Sequence, residues 1–228
     1  MKKLCALIPS YNEANTVGGI TKDLKARGIV VYVVDDGSTD RTAAIAQAAG
    51  AIVISQPKNM GKGAALGEGF KRVLKDGFDA ALVMDGDGQH QVKDVDKFLA
   101  KMEDTGSDII IGNRMSDTAS MPYIRVITNR FMSSLISRIS RAHAPDSQCG
   151  FRLIKKEVLE KIELESSNYE TESELIIKAA RAGFKIESVP IAAVYRDEKS
   201  KINPLLDTMR FVILMIKILS HKDKGIYE

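Results

Sequence analysis

Short apolar runs alternate along the chain with longer stretches in which apolar residues recur every three to four positions, the pattern of strands interleaved with helices. The runs Leu4–Ile8, Val30–Val34, Ala51–Ile54, Ala80–Met84 and Asp108–Ile111 predict strands. Between them, residues 15–27, 40–49, 62–76 and 93–104 predict helices. In the third helix Leu66, Phe70 and Val73 fall at i, i+4 and i+7, and Gly77 stands just past its end. Gly28 and Gly50 close the first two helices in the same way. This succession predicts an α/β fold with a mostly parallel central sheet.

The second half is less regular. A loop over 113–121 leads to a helix starting at Pro122 and reaching to about 142, proline being suited to a first helical turn. There follow an extended stretch at 150–154, helices over 155–161 and 172–182, strands over 185–189 and 192–196, and a final helix over 204–220. Neither a repeat nor a low-complexity linker interrupts the 228 residues, a length that fits one medium domain spanning 1–228.

Composition narrows the class. Hydrophobic residues make up 44% and charged residues 28%, which excludes a disordered or collagen-like chain. The net charge of +3 is too small to suggest a nucleic-acid partner. Cys5 and Cys149 lie far apart and form neither a CxxC pair nor a Cys/His ligand set, so they read as buried thiols of a reducing compartment. The apolar run at the N-terminus is too short for a signal-peptide core, and no window offers about 18 uninterrupted apolar residues. The expected location is therefore cytoplasmic.

Ligands of parallel sheets bind beyond the carboxyl ends of the strands. Three predicted strands end there in acidic clusters: Ser10-Tyr11-Asn12-Glu13, Asp35-Asp36-Gly37-Ser38 and Asp85-Gly86-Asp87-Gly88-Gln89-His90. Right-handed crossovers place all three at one edge. Each cluster alone could be a solvated turn, but three at equivalent strand ends point to a site. Crowded carboxylates need a cation or hydrogen-bonding groups, and a hard divalent ion shared with substrate phosphates meets that need. Asn59-Met60-Gly61-Lys62-Gly63 is not a Walker A motif, because Gln56 stands where its first glycine belongs and Gly63 where Ser or Thr belongs. It reads instead as a turn into a helix, with Lys62 able to meet a phosphate or a nearby carboxylate.

These residues also carry a resemblance. IPSYNE, VVDDGSTD, NMGKGAALGEGF, MDGDGQH, IGNR, DSQCGFRLIKKEVL and YETESELIIKAARAGFKIESVPI, in that order over nearly the whole chain, resemble the inverting glycosyltransferase family 2, most closely its dolichyl- or polyprenyl-phosphate hexose synthases. The resemblance implies a GT-A fold, a single Rossmann-like domain taking a nucleotide-sugar donor with Mg²⁺ or Mn²⁺. It implies that Pro9, Tyr11, Glu13, Val34 and Asp36 hold the nucleoside and that Asp85, Gly86 and Asp87 form the DxD element, with Asp87 and Gln89 as metal contacts beside Asp85. It implies further that Arg114 meets a phosphate of donor or acceptor, and that Arg196 belongs to a basic loop closing over the site. The implied donor is GDP-mannose or UDP-glucose and the implied acceptor a polyprenyl phosphate at the cytoplasmic membrane face.

The acceptor side adds a feature of its own. No acidic residue lies between Asp117 and Asp146, whereas Arg125, Arg130, Arg138 and Arg141 do. On a helical wheel Arg130, Arg138 and Arg141 share one side, next to an apolar stripe of Ile124, Phe131, Leu135 and Ile139. Such a helix suits an anionic membrane surface, and equally a core-packing helix with a solvated rim. The final helix is apolar at 11 of the 15 residues Leu205–Leu219 but too short to cross a bilayer, so any membrane contact is expected to be peripheral.

Other readings are a family 2 enzyme with a sugar-hydroxyl acceptor, a nucleotidyltransferase, and a non-catalytic nucleotide-sugar-binding protein. The nucleotidyltransferase lacks its glycine-rich loop after the first strand. A hydroxyl acceptor calls for a carboxylate general base, and Asn168-Tyr169-Glu170-Thr171-Glu172 does not contain the Glu-Asp pair such relatives place there. Base, sugar, lipid length and oligomeric state stay open at this level.

Overall fold

The computed structural model describes residues 3–119, 121–168 and 170–192, together with positions 211 and 213. Seven strands form one sheet: β1 (Leu4–Ser10), β2 (Val30–Asp35), β3 (Ile52–Ser55), β4 (Ala80–Val83), β5 (Ile109–Asn113), β6 (Arg152–Lys155) and β7 (Ile186–Pro190). The helices are α1 (Val17–Ala26), α2 (Thr42–Ala48), α3 (Lys62–Lys75), α4 (Val95–Thr105), α5 (Tyr123–Ser140), α6 (Lys156–Lys161) and α7 (Thr171–Arg181). The strand at 150–154 begins two residues later than expected. The expectations at 193–196 and 204–220, Arg196 included, fall outside the described residues except for Phe211 and Ile213, which are helical.

β1 lies mid-sheet, between β2 and β4, with Cys5 to Ile8 fully buried. Its unbroken apolar run is what a strand covered on both faces requires. The predicted helix stops hold: Gly28, Gly50 and Gly77 adopt φ values of 75°, 93° and 69°, which side chains with a Cβ rarely take.

The strand order is β3-β2-β1-β4-β6-β5-β7. β1, β2, β3 and β4 are parallel, and β5 pairs in parallel with β7. One strand departs from the parallel pattern. β6 is inserted between β4 and β5 and runs antiparallel to both, Val83 opposite Arg152 and Ile111 opposite Arg152. Sequence order leaves β1 and moves outward on one side to β2 and β3, then returns to β4 on the other. That reversal opens a crevice at the carboxyl edge. Because β6 is antiparallel, its entry, residues 146–152, reaches the same edge as the exits of β1, β2, β4 and β5.

Candidate active site

The three acidic clusters converge as expected. Gly86, after β4, lies against the exit of β1: a Cβ there would come within 2.6 Å of Ser10 Oγ and 3.4 Å of Glu13 Cγ. Pro9 stands opposite Val34 in the β1–β2 register, which brings these two expected nucleoside contacts side by side. Tyr11 and Glu13 are half-buried at the rim. Asn12 has a φ of 54°, and its side-chain oxygen accepts the amide of Thr39 at 2.9 Å, tying the first cluster to the second. Asp36 is buried and accepts the backbone amides of Met60 at 2.7 Å and Gly61 at 2.9 Å. Burial raises its pKa, and those two amides oppose the rise.

Lys62 is the junction of the site. Its Nζ forms an ion pair with Asp85 Oδ1 and another, at 2.5 Å, with Glu172 Oε1. Of the two roles open to Lys62, phosphate or carboxylate partner, the structure gives it two carboxylates. Burial would lower the lysine pKa, but Asp85 and Glu172 outweigh it and hold the ammonium above its ordinary value. Burial would likewise raise Asp85, yet Lys62 and then His90, whose Nε2 lies 3.6 Å from Oδ2, keep that carboxyl well below the usual range. Asp87 behaves oppositely. Burial and the neighbouring charge of Asp85 push its pKa up, against the Gln89 amide that donates to Oδ1 at 3.0 Å.

The glycines around Lys62 let two segments close on each other. Gly61 has a φ of 95°, and a Cβ on Gly63 would lie 2.1 Å from Thr171 Oγ1 and 2.2 Å from the Ser166 carbonyl oxygen. The Gly63 amide donates to the Ser167 carbonyl at 2.8 Å. Residues 166–168 and Thr171 therefore rest directly on the start of α3, next to Glu172, which meets Lys62.

Three residues with no individual role in the sequence reading complete the edge. Asp146, fully buried, receives Arg114 bidentately, Nε to Oδ2 at 2.7 Å and Nη2 to Oδ1 at 2.9 Å, and also accepts the Arg114 amide at 3.0 Å. Arg114, expected at a phosphate, thus directs two of its donor nitrogens to Asp146. Gly150 is pressed against Asp85, where a Cβ would come within 2.3 Å of Oδ2. Arg152, 2% exposed, donates to the carbonyls of Cys149, Glu172 and Ser147 at 2.8, 2.8 and 2.9 Å. Burial lowers its pKa, with the Glu172 carboxylate opposing. The block DSQCGFR carried the resemblance, but nothing in its local pattern announces that its Asp, Gly and Arg brace a site built from distant strands.

Among the described residues no group of three or more His, Cys, Asp and Glu side chains forms a metal cage. Hard divalent ions do not need one where substrate phosphates supply the remaining oxygens. Burial and the charge of Asp85 raise the pKa of Asp87, so a cation placed beside it would favour its ionised form.

Residues 5–163 match the family described as Glycosyl transferase family 2. The chain belongs to this family. An uncharacterized protein of Methanocaldococcus jannaschii, MJ1222, is 36% identical over 201 residues, covering 86% of this chain and 83% of the relative. A dolichyl-phosphate hexose transferase of Haloferax volcanii is 32% identical over 206 residues, with 88% and 87% covered. Glucosyl-3-phosphoglycerate synthase of Mycobacterium tuberculosis, solved with Mn²⁺, uridine diphosphate and glucosyl-3-phosphoglycerate, superimposes with a TM-score of 0.72 at 20% identity over 98% of this chain and 82% of that one. The fold of this family 2 member is accordingly GT-A, as its motifs implied.

Proposed function

We propose that the protein transfers a hexose, with inversion, from a nucleoside diphosphate sugar such as GDP-mannose or UDP-glucose to a polyprenyl phosphate at the cytoplasmic face of a membrane. The observation that carries the choice of acceptor is the engagement of the carboxylates on α7. Glu172 faces the Lys62 ammonium, and Glu174 accepts the amides of Glu165 and Ser166 at 2.9 and 2.8 Å while pairing with Lys178. A carboxylate held by a cation is a poor general base, whereas a phosphate monoester, with a second pKa of about 6, is already anionic at neutral pH. The relative named for dolichyl-phosphate hexose transfer supports the same choice.

In this reading Pro9, Tyr11, Glu13, Val34 and Asp36 enclose the nucleoside. Lys62 keeps Asp85 ionised and fixed, and Gly86 lets the diphosphate approach the backbone. Asp87 and Gln89, with Asp85 behind them, would hold Mg²⁺ or Mn²⁺. When bound, that ion neutralises the diphosphate leaving group. Arg114, anchored by Asp146, presents its guanidinium toward the phosphate of acceptor or donor. An acceptor phosphate oxygen attacks the anomeric carbon from the face opposite the leaving diphosphate, so one C–O bond forms as the other breaks and the configuration inverts. Arg196 is assigned to a basic loop over this site on the resemblance alone.

A sugar-hydroxyl acceptor has one observation in its favour: Glu170 and Glu172 each keep a buried Oε2 with no hydrogen-bond partner among the described residues, although Glu172 is tied to Lys62 through its other oxygen. The test that separates the readings is a screen of radiolabelled nucleotide sugars against a short polyprenyl phosphate and against oligosaccharides. Each donor is assayed with Mg²⁺, with Mn²⁺ and with chelator, and in Asp87→Asn. A metal-dependent, lipid-linked product of inverted configuration is expected. Label found only on oligosaccharide would replace the lipid-phosphate reading, and full turnover in chelator would remove the metal.

A further inference from the structure

Helix α5 carries a second surface that the transfer chemistry leaves unused. Its inward side holds Val126, Ser133, Ile136 and Ser140. The expected apolar stripe divides: Leu135 and Ile139 turn to the core, whereas Ile124 and Phe131 stay exposed. Tyr123, Ile127, Phe131, Ser134, Arg138 and Arg141 follow one another in steps of four, four, three, four and three residues. Steps of three and four keep them in one stripe along the helix.

The two halves of that stripe differ in chemistry. The first half is apolar and bare, with Tyr123 79%, Ile124 70%, Phe131 67% and Ile127 47% exposed. These are four of the eight large hydrophobic side chains exposed among the described residues, on one helix face, where scattered single exposures would be the ordinary pattern. The second half borders a groove of about 600 Å³ lined by Arg130, Ser134, Ser137, Arg138, Arg141 and His143.

The groove wall is built rather than incidental. Ser137 Oγ accepts the Ala144 amide at 3.1 Å, and Ser133 Oγ accepts the Ser147 amide at 2.9 Å, so the turn after α5 is fastened back onto the helix. Arg141 sits at the helix end with a φ of 56°, a conformation that costs a non-glycine residue energy. No acidic residue occurs between Asp117 and Asp146, and Asp146 is buried against Arg114. Three guanidinium groups thus line one groove whose own segment, 118–145, supplies no carboxylate to offset them, an arrangement that attracts an anion.

We propose that this face of α5 docks on a bilayer of anionic phospholipid, the groove taking a headgroup phosphate while Tyr123, Ile124, Ile127 and Phe131 enter the boundary between headgroups and acyl chains. Charge selects the occupant. A protein partner would match either half, but phosphate and hydrocarbon lie side by side at a lipid surface, in the order in which the helix presents arginine and apolar residues. Along about 27 Å of helix, the axis would be inclined to the membrane plane, the apolar first half reaching deeper than the arginine half. The proposal rests on the lipid-phosphate reading for its purpose, since docking brings the enzyme to a membrane-bound acceptor, but the lipid it names is not the acceptor.

The test is flotation of the full chain with vesicles of phosphatidylcholine alone and with phosphatidylglycerol added, both free of polyprenyl phosphate. Binding should require phosphatidylglycerol and weaken with salt. The paired change Arg138→Gln with Arg141→Gln should reduce it roughly 10- to 30-fold, as each basic residue near an anionic surface contributes about fivefold. Phe131→Ser should weaken binding to charged vesicles without changing its salt dependence. Transfer to a short-chain acceptor in detergent should be unchanged in both variants. Flotation indifferent to vesicle charge and to these substitutions would overturn the proposal. So would loss of detergent activity in the arginine pair, which would make the groove the acceptor's own phosphate site. A dimer in sedimentation that Phe131→Ser dissolves would instead assign the apolar half to a second copy. Failure of hexose transfer with intact vesicle binding would count against the proposed reaction and not against the docking surface.

Discussion

Lys62 is the residue on which the site's charge balance turns, because it separates two carboxylates that would otherwise face each other. Its side chain is 15% exposed, against 23% for Asp85 and 7% for Glu172, so water screens the trio weakly. Removing one member of a buried ion set leaves an uncompensated charge and costs on the order of 3 kcal/mol. Lys62→Met should therefore lose about that much in urea unfolding with chelator present, and Lys62→Arg, which keeps the charge, should recover at least half. Equal stability of Lys62→Met and wild type would mean that the carboxylates are held apart by other groups. The thiols give a prediction with a pH sign. Burial raises both Cys5 and Cys149 to about 12, and the unfolded value is near 9. A thiol whose pKa is raised by folding stabilises the native state below its unfolded value and loses that contribution as pH rises toward the folded one. Stability should thus fall as pH rises above about 9, and a Cys5→Ala, Cys149→Ala variant should show a shallower fall. At pH 8 the native thiols should resist iodoacetamide and react once the chain is unfolded.

Among the elements, α3 carries two glycines with opposite expectations. A Cβ at Gly63 would collide with the Ser166 carbonyl and Thr171, whereas one at Gly67 meets nothing within 4 Å. Gly63→Ala should force Ser166, Ser167 and Thr171 off the helix, costing about 1–3 kcal/mol, or a few degrees of melting temperature per kcal/mol for a chain of this size. Gly67→Ala should be neutral or stabilising by about 0.5–1 kcal/mol, because alanine is the better helix former. A matched loss in both would trace the effect to the helix itself and not to the docked segment. This contrast also shows where sequence periodicity stops informing. The strands β1 to β5, helices α1 to α4 and their glycine stops follow local rules of period and propensity, and they stand within a few residues of expectation. That Gly63 is a contact point and Gly67 is not depends on a segment about 100 residues away, which no local pattern encodes. The stripe on α5 divides for a related reason. Leu135 and Ile139 turn inward because the core lies beside that part of the helix, while Ile124 and Phe131 extend past it.

Across the whole molecule, the site is a product of topology. Parallel β1, β2 and β4 aim Glu13, Asp36, Asp85 and Asp87 at one edge, which the sequence made legible through three acidic strand ends. The antiparallel β6 brings Asp146, Gly150 and Arg152 to the same edge, and that insertion has no signature in the order of elements, so the pairing of Arg114 with Asp146 has none either. The same closure bears on proton transfer, since it places Glu172 Oε1 against Lys62 while leaving the Oε2 atoms of Glu170 and Glu172 buried with no hydrogen-bond partner among the described residues. If the acceptor is a phosphate monoester, the rise of kcat/KM with pH belongs to the acceptor, with an inflection near its second pKa of about 6. Glu170→Gln and Glu172→Gln should both keep that inflection. In single turnover with a short polyprenyl phosphate, Glu170→Gln should stay within about tenfold of wild type, while Glu172→Gln should lose mainly donor affinity, because Lys62 would lose one of its two anions. A general base would give a different result in one variant: a loss of about 10³-fold or more in the chemical step, unchanged donor and acceptor affinity, and disappearance of the inflection. That outcome at Glu170 would transfer the proton to the protein and make a sugar hydroxyl the acceptor.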